Sequence, residues 1–226
     1  MPSLNADLSQ FAVAHTGEAC WQASPSPTVW RKRVYLDGPA EAGRVTSVVR
    51  YDAGSRFPAH DHPGGEEILV LDGVFSDEQG DYPAGHFLLN PEGFRHAPFS
   101  DAGCTLLVKL RQYPDSVTVH HDTAALDWEP GRVDGVHVKM LYASPDGGVI
   151  KRLVRVDAGT GIPSHDHPGG EEVFLIEGDA RDERGVYGPG CWARYPAGAS
   201  HRVTSQGGAL LYVQTGGFGA NGQAGR

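Results

Sequence analysis

The sequence has no run approaching the roughly 18 apolar residues that a membrane-spanning helix requires. Its opening, Met1 to Ala14, also lacks the basic segment followed by an apolar run that a secretory leader carries. No membrane partner is expected, and a cytoplasmic location is the default. Basic charge is in short supply: 19 Lys and Arg face 28 Asp and Glu, for a formal charge of -9. That sign opposes a phosphate backbone and excludes nucleic acid as an expected partner. Cysteine is scarce. Cys20, Cys104 and Cys191 form an odd set without Cys-x-x-Cys spacing, so neither a disulfide framework nor an all-cysteine zinc site is expected, and reduced thiols suit a reducing compartment. Helical periodicity is missing as well: no uninterrupted segment of about three turns repeats at the helical period.

Punctuation is plentiful instead. The 31 Gly and 16 Pro cut the chain into short runs rich in Val, Leu, Tyr and Phe, the pattern of short strands joined by tight turns. The chain also repeats itself. AGSRFPAHDHPGGEEILVLDG, Ala53 to Gly73, recurs as AGTGIPSHDHPGGEEVFLIEG, Ala158 to Gly178, displaced by 105 positions without a gap. The register holds through Ser76 to Pro98 against Arg181 to Val203. Upstream, Lys32 and Tyr35 answer to Lys139 and Tyr142 at a displacement of 107, which puts a two-residue length change near Pro39 to Gly43. In each copy β-branched runs, Arg44 to Asp52 and Ile150 to Asp157, end at a Gly turn, and Asp72-Gly73 or Glu177-Gly178 closes a short apolar run. The expectation is an all-β chain of two tandem barrels or sandwiches, 1–115 and 116–226. The polar stretch Tyr113 to Leu126 would link them or form an outer strand, and a glycine-rich tail at about 217–226 is expected to be mobile.

Strand alternation brings the chemistry together. His60 and His62 project from one face and Glu66 shares their parity, while Gly64 and Gly65 let the backbone bend until the carboxylate meets the imidazoles. His96 arrives after the Pro91-Glu92-Gly93 turn, and His165, His167, Glu171 and His201 repeat the set at identical intervals. Such a nitrogen and oxygen set suits a divalent ion, up to two per chain, without distinguishing Fe(II), Zn, Mn, Ni or Co, and leaves positions open for water or substrate. A single His-x-His pair is more often an ordinary strand feature; two complete copies reverse that weighting. Glu67 and Glu172 rival Glu66 and Glu171 as ligands, with parity favouring the earlier residue of each pair. Asp61 and Asp166 lie on the wrong parity to support a ligand imidazole.

Candidate catalytic groups are residues matched across the copies. Tyr82 and Tyr187 either orient a substrate or plug a barrel mouth. Arg50 and Arg155 clamp a carboxylate if their strands turn that face inward, or make a surface or inter-domain salt bridge. His15, His86, His120, His121 and His137 have no counterpart and are read as solvent or packing residues. Differences between the copies, Phe75 against Ala180, Phe94 against Ala199, Lys109 against Gln214, Phe87 against Trp192 and Leu89 against Arg194, suggest two pockets unequal in volume and polarity.

On these residues the chain resembles the cupin superfamily, whose two motifs run Gly, His-x-His, Glu, Gly and then Gly, Pro-x-Gly, His. Gly54, His60, His62, Glu66 and Gly73, followed by Gly85, Pro91, Gly93 and His96, fill the first copy; Gly159, His165, His167, Glu171 and Gly178, followed by Gly190, Pro196, Gly198 and His201, fill the second. The HxHPGGEE wording is similar to the cupin domain of the ChrR group, over roughly Trp21 to Leu110 and more loosely Trp128 to Thr215. The resemblance implies tandem double-stranded β-helix, jelly-roll-like barrels with a metal at each centre. Two functions are then expected to compete. One is a small-molecule metalloenzyme of the dioxygenase type, with lyase or hydrolase chemistry also open; the other is a non-catalytic metal-binding sensor. That group's anti-sigma activity resides in a separate helical domain with a His and Cys zinc motif. Cys20 lacks such neighbours, so control of a sigma factor by that route is not expected. A homodimer is a family-level expectation with no particular residue behind it.

Overall fold

The computed structural model describes residues 3–219. The regular structure of the described chain is strand apart from one short 3-10 turn at Thr123–Ala125, and its strands pair antiparallel. No helix among the described residues is long and apolar enough to cross a membrane. The chain divides into two compact units. One takes the chain up to Ala6 and Ala19–Ala125, and the other takes Asp7–Glu18 and the chain from Leu126 onward.

This division follows an exchange of edge strands. Ala12–His15, which precedes the first copy, pairs with Cys191–Tyr195 in the second unit. Val119–Asp122, which precedes the second copy, pairs with His86–Asn90 in the first unit. Ala12 stands opposite Arg194 and Val119 opposite Leu89, the same place in each repeat. An outer strand is therefore covered by a segment from the other half of the sequence, which removes an exposed ladder edge.

In the first unit a row of seven strands runs Val119–Asp122, His86–Asn90, Glu66–Asp77, Cys104–Leu110, Arg44–Tyr51, Val29–Asp37 and Gln22–Ala23. Short pairs complete it, among them His60–Asp61 with Arg95–His96. The second unit repeats the row as Ala12–His15, Cys191–Tyr195, Glu171–Gly178, Ala209–Thr215, Ile150–Val156, Val136–Ala143 and Glu129–Pro130. Its four-stranded partner sheet contains Gly161–His167 and Ala199–Thr204.

Alternation along these strands separates core from surface. Val49 and Tyr51 join the first core with Ile68, Val70, Phe75, Leu88, Leu106 and Val108, and Arg50 between them points outward. Its guanidinium lies 4.7 Å from the Trp21 ring centroid and its Nε donates to Asp52 at 3.2 Å. Arg155 repeats this at 4.7 Å from Trp128, and Lys32 and Lys139 cover the same rings at 4.5 and 4.8 Å. Such cation–π contacts contribute about 0.5–1 kcal/mol each at exposed sites. Arg50 and Arg155 are therefore outer-face staples in both units, and the inward carboxylate clamp considered for them does not form.

The two cores are packed differently. At the register of 105, Tyr51, Phe57, Phe75 and Leu88 become Val156, Ile162, Ala180 and Ala193. The second core is correspondingly aliphatic, built on Val156, Leu175, Ala209, Leu211 and Val213. At the C-terminal end, Phe218 is buried and its amide donates to the Gly169 carbonyl at 3.0 Å, so the tail is docked at least that far; residues 220–226 of the expected mobile tail lie outside the described residues.

Cys104 and Cys191 are buried and Cys20 is exposed. Burial pushes each buried thiol up to about 11, which withholds the reactive thiolate at ordinary pH. Titration of the native protein with a chromogenic disulfide at mildly alkaline pH should find a single fast thiol, lost in Cys20→Ser, and all three only after denaturation. Fast reaction of a second thiol in the native state would contradict this packing.

Candidate metal centres

Each ligand set is assembled from two sheets. In the first unit, antiparallel pairing sets His96 opposite His60, while Glu66 opens the long strand Glu66–Asp77. In the second, His201 stands opposite His165 and Glu171 opens Glu171–Gly178. Between the imidazoles and the carboxylate the chain must turn sharply. Gly65 and Gly170 do so at φ of 75° and 78°. A Cβ at Gly65 would lie 2.5 Å from the Tyr113 carbonyl oxygen, and one at Gly170 2.9 Å from that of Tyr195. Only glycine meets both demands.

The donor atoms converge. One ring nitrogen from each of His60, His62 and His96 falls within 4.8 Å of the other two, as do those of His165, His167 and His201. His62 Nε2 is 2.9 Å from His96 Nε2, and Glu66 Oε2 is 3.5 Å from the former and 3.6 Å from the latter. The second set matches: 3.0 Å between His167 and His201 Nε2, and 3.4 Å from each to Glu171 Oε2. Glu66 and Glu171 thus bring the carboxylates, with Glu67 and Glu172 on the opposite strand face.

Neighbours fix the tautomers. The Pro58 carbonyl accepts from His60 Nδ1 at 2.8 Å and the Pro163 carbonyl from His165 Nδ1 at 2.9 Å. Asp77 Oδ2 accepts from His96 Nδ1 at 3.2 Å. With Nδ1 carrying the proton, the Nε2 lone pair faces inward. Burial, followed by His96 and His60, pushes His62 down to about 3, and burial pushes the Glu66 carboxyl above its ordinary range. Inward lone pairs beside a buried carboxylate repel one another unless a cation sits among them. The donor set therefore fits a divalent metal, and both His-rich groups could hold one.

The outer supports were not evident in the sequence. Asp77 accepts from Tyr82 Oη at 3.3 Å as well as from His96. In the second unit Tyr187 and Tyr195 donate to the two oxygens of Asp182 at 2.7 and 2.8 Å, and His201 Nδ1 stands off at 3.8 Å. The hydroxyls of Tyr82 and Tyr187 are thus committed to the aspartate behind a ligand histidine. Asp77 and Asp182 are identical at the 105 register, the one signal that could have singled them out. His120, read as a solvent or packing residue, belongs here too: its Nε2 lies 3.1 Å from Asn90 Oδ1, and Asn90 Nδ2 donates to Glu66 at 3.2 Å.

Surroundings divide the two centres. Aromatic rings crowd the first, with Phe57 at 4.8 Å from His60, and Phe94 and Phe75 at 5.3 and 6.1 Å from His96 between ring centroids. The second set lines a cavity of about 930 Å³ together with Ile162, Val173, Leu211 and Arg152.

A family model described as the ChrR Cupin-like domain matches residues 9–114 and again 116–219. No curated protein matches the chain. Among solved structures, a provisionally named dioxygenase of Nostoc punctiforme superposes with a TM-score of 0.78 at 14% identity, covering 91% of this chain and 82% of its own. A variant of Bacillus subtilis oxalate decarboxylase gives 0.65 at 14%, covering 90% and 76%. The E. coli protein Ylba gives 0.69 at 13%, covering 95% and 94%. At these identities the likeness is one of fold, and it extends over both barrels.

Asp77→Ala should lower divalent-metal affinity at the first centre by roughly 10- to 100-fold, the usual effect of removing the partner that orients a ligand imidazole. Competition against a chromophoric chelator would measure it, with an unchanged far-ultraviolet circular dichroism spectrum as the control. Unaltered affinity would show that Asp77 does not set the His96 tautomer.

Proposed function

The chain belongs to the ChrR cupin-like family, and from that premise we propose that it is a divalent-metal bicupin acting on a small molecule, with dioxygenase-type chemistry carried out in the second barrel. One observation carries this reading: the cavity of about 930 Å³ opens onto His165, His167, Glu171 and His201, whereas aromatic side chains pack around the first ligand set. Volumes of this order suit a small organic ligand. The first centre then serves the fold, tying its two sheets.

His165, His167, Glu171 and His201 would hold the ion in the second barrel. Once bound, it would supply Lewis acidity and, if redox-active, a route for electrons to dioxygen. The remaining work falls to the chain itself. The Glu171 carboxylate offsets positive charge, and Pro163 holds the His165 tautomer. Ile162, Val173, Leu175, Leu211 and Val213 receive the apolar part of a substrate and exclude water from around it. Tyr187 and Tyr195 hold Asp182 in place behind His201. The dioxygenase and decarboxylase names of the structural neighbours support metal-dependent chemistry on this fold by analogy only.

A non-catalytic sensor is the second reading, favoured by the crowding around the first centre, which leaves its metal a structural role. Protein purified without added metal should contain a redox-active ion, and should consume oxygen with a member of a panel of diketones, hydroxyaryl ketones and flavonols. Turnover is expected to vanish in His167→Ala and to fall at least about tenfold in Ala180→Phe, which refills the second barrel as the first is filled, with metal content retained in the latter. Tightly held zinc with no turnover on any of these would favour the sensor.

A further inference from the structure

The cavity of the second barrel contains a cation that the proposed chemistry does not use. Along Ile150–Val156 the residues Arg152, Val154 and Val156 line the cavity, while Arg155 on the other face packs on Trp128. The inward arginine has no counterpart, because the first copy has Ser47 at the same register. From this arrangement we infer that Arg152 anchors a carboxylate, so that the second barrel takes an organic monoanion with a compact apolar body. The inference rests on the reading of the second barrel as the working site, and it adds the class of ligand.

The guanidinium is only loosely held. Nη2 reaches Thr215 Oγ1 only at 3.4 Å. A planar fork of this kind is matched by a carboxylate, which accepts two parallel N–H bonds. The negative group nearest in effect is Glu171, whose charge acts on Arg152 but whose oxygen is turned toward His167 and His201. Arg152 lines the same cavity as His165, His167, Glu171 and His201. Arg132 also lines the cavity and is exposed, so a second positive charge stands at the rim, where it would draw an anion inward. Val154, Ile162, Val173, Leu211 and Val213 give the wall an aliphatic stretch, and of the carboxylates that line it besides Glu171, Asp166 is exposed and Asp182 is held by Tyr187 and Tyr195. A small dianion would satisfy the charges and leave these side chains against water. A branched-alkyl or aryl carboxylate fills both demands.

The test is calorimetric titration of the metal-assayed protein with acetate, 3-methylbutanoate and 3-phenylpropanoate, each beside its uncharged amide. The larger carboxylates should bind, and bind at least about tenfold more tightly than their amides, with acetate weakest. Arg152→Gln should cost the carboxylates about 10- to 100-fold, leave the amides unchanged and keep the metal content; Arg152→Lys should restore part of the preference. Equal binding of acid and amide, an undiminished preference in Arg152→Gln, or no carboxylate binding by metal-loaded protein would each overturn the inference. A carboxylate preference in protein whose second centre takes no metal would uphold the anchor and overturn the metalloenzyme reading instead.

Discussion

In each unit the fold depends on a buried carboxylate and three imidazoles that must approach one another from two different sheets. Glu66 and Glu171 start strands of the long rows, while His60, His96, His165 and His201 belong to the smaller sheets. Bringing four polar groups into a barrel interior is costly unless their lone pairs are matched. Much of the local structure answers that cost. The proline carbonyls and Asp77 take the outward protons of the imidazoles, Asn90 donates to Glu66, and the left-handed glycines permit the turn that delivers the carboxylate. A divalent cation at the centre would complete the balance.

The repeat made most of this legible before any coordinates. Ungapped agreement between the copies singled out the residues whose side chains converge, because two sets with the same spacing are hard to explain as coincidence, and strand parity separated Glu66 from Glu67. Parity also misled. It drew notice to Arg50 and Arg155, which are outer-face staples on Trp21 and Trp128. The inward arginine is Arg152, which a search for matched residues passes over because its counterpart is Ser47. Asp77 and Asp182 lay in the aligned block, but a link from the end of one strand to a histidine on another has no sequence period. His120 was hidden for a related reason: it lies in the strand Val119–Asp122, which completes the first unit from beyond the first copy, and no local pattern announces an exchanged strand.

The second copy acts as an internal control for the first. Ligand spacing, the proline carbonyl that accepts from the first histidine and an aspartate behind the third are common to both, so those features belong to building the centre. What changes is the packing around it. Tyr51, Phe57, Phe75 and Leu88 give way to Val156, Ile162, Ala180 and Ala193, and Asn90 gives way to Tyr195. The Tyr195 hydroxyl joins Tyr187 on Asp182, so the second centre gains an aromatic support on one side while losing aromatic bulk on the other.

Those losses have a direction. Removing a large buried side chain without refilling its space typically costs about 2–5 kcal/mol, and a cation on the wall of a largely apolar cavity adds a further cost. Both disfavour the folded state, and both occur in the second barrel, around the same ligand set. Selection for stability alone would not place an open apolar volume and a poorly satisfied arginine together. A binding site would, because the ligand supplies the missing contacts and the missing anion when it arrives. The first barrel has its core filled by Tyr51, Phe75, Tyr82 and Leu88. The asymmetry therefore argues that the two centres divide the work, one holding sheets together and the other holding a ligand.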